Sequence, residues 1–271
     1  MPKQFPKGRN DHYLPKGYLR GFIDPASPAT EREPLCVFDV QRRTWRKRHP
    51  SQIGWEPGFY DFVSRQGDRV HADEAFTPLE NNYPPLVQKL SAKGFTGWRE
   101  HLEFLLSYVQ MIRCRSPLFR EQFLAEWRQK RGARVIEVLP GNAVKVDSLK
   151  LRHFSPGALK EGAINKMMSE MKNGTTMLES FHWQLHLAGS IDDSFVTNDN
   201  PLIGWAPDGE TFDHHNTVMI FPLCWQACLM GTRNPLTLSL DGIGVREREA
   251  VRQNYFTAAR RFVVSARQLA L

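Results

Sequence analysis

Between residues 102 and 187 the spacing of apolar side chains changes from the period of a helix to the period of a strand, and that change limits the chain to an α+β fold. Leu102, Leu105, Tyr108, Val109 and Ile112 recur every three or four residues, which puts them on one helical face. Thr96 can cap this helix, which ends near Ser116-Pro117. A second helix is expected from Leu118, with Phe119, Phe123, Leu124 and Trp127 inward and Gly132 as its stop. A third runs from about Pro156 to Lys172 and closes at Asn173-Gly174. Then Phe181, Trp183, Leu185 and Leu187 alternate with His182, Gln184 and His186, a period of two that only a strand satisfies.

More strands are predicted at Ser194 to Thr197, Val218 to Phe221, Ala227 to Met230 and Arg261 to Ser265, and Pro201 to Trp205 resumes an apolar path. A last helix from about Val245 to Arg260 carries Val251, Tyr255, Ala258 and Phe262 inward. Arg134 to Val138, before Gly141-Asn142, adds a strand between the helices. The predicted architecture is a helical middle section packed on a mostly antiparallel C-terminal sheet. At 271 residues one domain is expected, with residues 1–73, 74–175 and 176–271 as its layers.

Ahead of the helices, prolines and glycines such as Pro6, Gly8, Pro15 and Gly17 keep regular structure short, and Tyr18 to Phe22 reads as one turn of helix. Pro34 to Val40 and Trp45 to Arg48 form a hairpin, and residues 50 to 73 read as a loop. Pro84-Pro85 is expected to break the next helix into Glu74 to Tyr83 and Leu86 to Ala92.

The chain carries 36 basic and 29 acidic side chains, a net charge of +7, which favours encounter with polyanions such as RNA, DNA or anionic lipid. No apolar run is long enough to cross a bilayer and the start has no apolar leader core, so a cytoplasmic protein without a membrane partner is expected. Cys36, Cys114, Cys224 and Cys228 are too scattered for a disulfide scaffold. Cys224 and Cys228 beside His214-His215 resemble a zinc half-site, but their apolar neighbours favour core thiols. Dinucleotide, Walker, nucleophile-elbow and zincin motifs are absent from the sequence.

The polar candidates each admit two readings. Asp199 and Asn200, in Phe195-Val-Thr-Asn-Asp-Asn-Pro201, sit where a strand end could present a metal ligand or base, or could form an Asx turn. Glu74 and Glu80 are six apart and point away from each other, so each needs partners from elsewhere. Arg113 and Arg115 at a helix C-terminus suit either an anion clamp or the helix dipole. His12 can act as acid or base, or anchor the arm. Asn254 is placed on the apolar face of the last helix, where a buried amide needs partners. Arg42, Arg43, Arg46, Lys47, Arg48 and His49, with Trp45 interleaved, offer phosphate contacts and a stacking ring, or a solvated edge strand.

Taken in order, these segments resemble a bacterial family catalogued as domain of unknown function 4238. The resemblance is carried by His12-Tyr-Leu-Pro-Lys-Gly-Tyr-Leu-Arg-Gly-Phe22, Val37 to Val40, Phe59-Tyr60, Glu74 with Glu80, and Arg115-Ser-Pro117. Thr197 and Asp199-Asn-Pro201 follow, with Asn198 where the family usually has serine or aspartate, then Phe221-Pro-Leu223, Asn254 and Arg261-Phe-Val263. It spans about His12 to Ser265 and implies an α+β domain without a settled activity. It selects His12, Glu74, Glu80, Arg115, Asp199, Asn200 and Asn254 over His214, His215 and the cysteines.

The leading expectation is a phosphate-directed enzyme acting on nucleic acid, a metal-dependent nuclease of toxin or defence-effector type, with a Mg²⁺ or Mn²⁺ cofactor. In it His12, Glu80 and Asp199 are catalytic, and Asp199, Glu80 and Glu74 hold the metal. Arg115, Asn200, Asn254, Arg46, Lys47 and Trp45 bind substrate. The alternatives are a non-catalytic nucleic-acid or nucleotide binding module, or a protein-interaction partner.

Overall fold

The structure, a computed structural model, describes residues 10–28, 30–32, 34–63, 69–92, 96–132, 136–138, 144–146, 156–173, 175–206, 214–234 and 245–269. The expected strand start at Arg134, the Gly141-Asn142 turn, Gly174 and the side chain of Trp127 lie outside the described residues.

The central element is the helix Leu102–Arg115, which the sequence pattern placed within the right bounds at its C-terminal end. Leu105, Leu106, Tyr108, Val109, Met111 and Ile112 are all buried, so it is enclosed on more than one face. Each such side chain contributes about 1.5–3 kcal/mol of burial free energy. Thr96 makes no side-chain cap; the entry is instead a 3₁₀ turn, Gly97–His101. Ser116 ends the helix in an extended conformation and its hydroxyl accepts the amide of Phe119 at 3.2 Å. With Pro117 at the first position this starts the helix Pro117–Gly132.

Pro84-Pro85 does not break the preceding helix, which runs unbroken over Thr77–Leu90. Packing on both sides of the prolines overrides the two lost hydrogen bonds. Tyr83 stacks on Tyr108 with centroids 3.6 Å apart and donates to the Leu223 carbonyl at 2.7 Å, while Val87 and Leu90 are buried further along. The helix Pro156–Asn173 packs against the central helix from another side.

The strands form two four-stranded antiparallel sheets with small two-stranded ladders beside them. In the first sheet the order is Thr197–Asn198, Phe262–Ser265, Leu35–Asp39, Thr44–Arg48. The N-terminal hairpin is therefore joined to the C-terminal strands, with Val263 opposite both Asn198 and Phe38. The second sheet runs Ile203–Trp205, Val218–Pro222, Ala227–Thr232, His182–Leu187.

Alternation correctly identifies His182–Leu187 as a strand, but its polar face is not its solvent face. His186 is 7% exposed and Leu187 39%. The reason is a second core: Cys228, Met230 and Ile220 meet Val251 and Tyr255 of the last helix on one side of this sheet, while Trp183 and Leu229 join the main core on the other. That last helix ends at Ala258, and Phe262 belongs to a strand.

Residues 50–73 are not a plain loop. They hold the 3₁₀ turn Pro50–Gln52, the strand Trp55–Pro57 paired with Asn10–His12, and the ladder of Asp61–Val63 with Arg69–His71. Among the described residues no helix is long and apolar enough to cross a membrane.

Candidate functional site

The strand-end loop is a structural clasp. Oδ1 of Asp199 accepts the amides of Arg260 and Arg261 at 3.0 and 3.2 Å, tying the end of the last helix to the first sheet. Asn198 donates its amide to the Tyr255 carbonyl at 2.9 Å and accepts the Asn200 amide at 2.8 Å, which is the Asx turn. Thr197 shares a 2.7 Å hydrogen bond with the Tyr18 hydroxyl. Asn200 is half-buried and lines a cavity of about 280 Å³ with Arg113, Ser116 and Phe119. Arg113 and Arg115 leave the central helix about 200° apart, so this cavity and the surroundings of Arg115 lie on opposite sides of its last turn.

Around Arg115 the chain converges. The side chain is 1% exposed. Its guanidinium donates to the Tyr60 hydroxyl, to Glu80 and to the main-chain carbonyl of His12, and reaches Asp73 at 3.5 Å. The Phe76 ring lies 4.3 Å and the Tyr60 ring 5.1 Å from its central carbon. Burial alone pulls the guanidinium pKa down, but Tyr60 and Glu80 more than offset it and raise it. A planar fork serves these divergent acceptors as an ammonium could not. The structure thus brings His12, Glu80 and Arg115 into contact, whereas Asp199 takes its partners from Arg260 and Arg261.

Three of the four residues held by Arg115 lie beside a member of a second cluster. His12 follows Asp11, Tyr60 precedes Asp61, and Asp73 lies two residues after His71. Asp11, Asp61 and His71 each place a ligand-type atom within 4.8 Å of the others. Oδ1 of Asp61 is 2.6 Å from Nδ1 of His71, its partner across the short ladder. Nε2 of His71 is buried and makes no hydrogen bond; Asp11 Oδ1 stands 4.0 Å and Asp73 Oδ2 3.8 Å from it. The other oxygen of Asp11 accepts the Tyr60 amide at 3.0 Å.

Burial pushes the Asp11 carboxyl above its ordinary range, helped by the charges of Asp61 and Asp73 and opposed by the Tyr60 amide and His71. Burial also lowers the pKa of Lys160, whose ammonium donates to the Gly58 carbonyl and feels Asp61, Arg120 and Asp11. Arg120 sits over the Phe59 ring at 4.4 Å and pairs with Glu56 at 2.7 Å. Two carboxylates and an imidazole with cations close by can bind a metal, activate water or hold a phosphate.

Several expected roles need correction. The metal set Asp199, Glu80 and Glu74 does not assemble: among the described residues the three-ligand group is Asp11, Asp61 and His71, and Glu74 is exposed in the 3₁₀ turn Ala72–Phe76. Glu80 is spent on Arg115. Asn254 is exposed rather than buried, because the inward stripe is Val251, Tyr255 and Ala259, and Asn254 is about 100° of helical rotation from Tyr255. Trp45 is no open stacking platform; its ring packs on Phe38 at 5.4 Å and Phe256 at 6.1 Å. Arg46 and Lys47 remain exposed on the edge strand, Lys47 pairing with Glu31 at 3.3 Å. The main-chain oxygen of His12 makes the contacts, and burial, with Lys16 and Arg115, depresses its imidazole pKa to about 4. All four cysteines are buried free thiols.

Sequence reasoning missed Asp11, Asp61, His71, Asp73 and Lys160. The available signals were adjacency and pairing: Asp11 precedes the quoted His12, Asp61 follows the quoted Phe59-Tyr60, and Asp61 faces His71 in a hairpin of three-residue strands. Comparison with curated proteins and with solved structures finds no match. A family model matches residues 10–263, which takes in both Asp11 and the Asp199 clasp, and the chain belongs to that family, described as protein of unknown function (DUF4238).

Proposed function

We propose that the protein is a phosphodiester hydrolase acting on nucleic acid, with its reactive centre at Asp11, Asp61 and His71 instead of the Asp199 loop. The observation that carries this reading is the Asp61–His71 pair at 2.6 Å, set against Asp11 and Asp73 and flanked by Lys160 and Arg120. Water adds to phosphorus, its proton is accepted within the carboxylate–imidazole group, the P–O bond breaks and the leaving oxygen takes a proton. Lys160 and Arg120 offset the charge on the phosphate. The net charge of +7 and the exposed Arg46 and Lys47 support a polyanionic substrate.

The test is cleavage of labelled RNA and DNA oligonucleotides by the wild type and by Asp61→Asn. The wild type should cleave at least one of them, and the variant should be slower by about 10²-fold or more. Absence of cleavage with every substrate and divalent salt would remove the hydrolase reading. A second reading, a non-catalytic nucleic-acid binding module, draws on the exposed Arg46 and Lys47 of the edge strand. It takes precedence if binding persists without cleavage and falls in Arg46→Glu.

A further inference from the structure

The geometry points to a dication site in which Nε2 of His71 and the carboxylates of Asp11 and Asp73 are the ligands, Asp61 orients the imidazole, and the metal is of the Mn²⁺ or Zn²⁺ class. A carboxylate can only accept, so the 2.6 Å contact with Asp61 Oδ1 keeps the proton of a neutral His71 ring on Nδ1. The lone pair is then on Nε2. That atom is buried and makes no hydrogen bond, yet carboxylate oxygens of Asp73 and Asp11 face it at 3.8 and 4.0 Å.

These separations are too long for hydrogen bonds. Two donors sharing a cation at about 2.1 Å lie no more than about 4.2 Å apart; each carboxylate meets that limit with Nε2, while Asp73 lies outside the 4.8 Å group of Asp11, Asp61 and His71, so it closes in as the ion binds. Asp61 then fills the place of the carboxylate that fixes a metal-bound histidine from behind. Three carboxylates crowd one imidazole here. A dication converts that repulsion into attraction. The Arg115 guanidinium reaches Oδ1 of Asp73 at 3.5 Å while Oδ2 of Asp73 faces His71, and Lys160 donates to Gly58. The nitrogen ligand selects the metal class, since Mg²⁺ and Ca²⁺ prefer all-oxygen shells whereas imidazole suits Zn²⁺ and its neighbours.

Any catalytic consequence rests on the hydrolase reading, but binding is measured apart from it. Electron paramagnetic resonance of the full chain titrated with MnCl₂ reads the free ion directly. The wild type should remove one equivalent of Mn²⁺ signal, ZnCl₂ should restore it, and equimolar MgCl₂ should not. His71→Gln should abolish uptake, and Asp61→Asn should weaken it by about 10–100-fold, each with an unchanged circular dichroism spectrum. Asp73→Asn, at a partly exposed position, gives a ligand variant with little folding risk and should also weaken uptake.

No uptake by the wild type, or equal uptake by folded His71→Gln and Asp73→Asn, would overturn the site. Displacement of Mn²⁺ by equimolar Mg²⁺ would overturn the metal class. Stoichiometric Mn²⁺ uptake without nucleic-acid cleavage would retire the hydrolase reading and leave the site standing; cleavage persisting in excess chelator, with no uptake, would do the reverse.

Discussion

Arg115 shows how one residue type can be legible while its role is not. An arginine at a helix C-terminus is explained by the dipole alone, and nothing in the spacing of the chain says that it is fully buried. Its burial follows from four distant segments, carrying His12, Tyr60, Asp73 and Glu80, that meet only in three dimensions. Removing the cation leaves Glu80 without its guanidinium partner, while the Tyr60 hydroxyl still donates to the His12 carbonyl at 3.2 Å. Arg115→Met should cost about 3 kcal/mol in urea unfolding, and Arg115→Lys should recover only part of it. His12 gives a pH signature with a definite sign. Its folded pKa, about 4, lies below its ordinary value of 6.5, so between those values the unfolded chain binds the extra proton. Its contribution to stability is intact above about pH 6.5 and lost as pH falls towards 4. Subtracting the pH–stability curve of His12→Asn from that of the wild type should isolate this loss; a flat difference over that window would contradict it.

At the scale of elements, long periodic segments were readable and short ones were not. The helix Leu102–Arg115 and the hairpin Leu35–Asp39 with Thr44–Arg48 carry enough residues for a period to appear. Asp61–Val63 and Arg69–His71 have three residues each, too few for any period, and they hold two members of the candidate centre. Alternation also identified His182–Leu187 but could not say that His186 would be buried and Leu187 exposed. The strand-end motif was legible as a turn, and the structure gives that turn a task. Asp199→Ala would take from the amides of Arg260 and Arg261 the charged acceptor they share, so it should lower stability by about 1–3 kcal/mol in thermal melts.

On the scale of the whole molecule, two polar features take their hydrogen bonds from different partners, although Glu56 pairs with Arg261 beside the one and Arg120 beside the other. One is the Asp199 clasp between the last helix and the first sheet. The other is the Asp11–Asp61–His71 centre, assembled by Arg115 from the arm, the short ladder and the start of the helical layer. The family match covers both, so membership alone does not choose between them. A paired assay of Asp61→Asn and Asp199→Ala does. Oligonucleotide cleavage per folded molecule is measured well below both melting temperatures. The proposal of a reactive centre at Asp61 expects Asp61→Asn to fold normally and lose cleavage by about 10²-fold or more, while Asp199→Ala melts earlier yet retains cleavage. Loss of cleavage in a folded Asp199→Ala, with Asp61→Asn fully active, would contradict it.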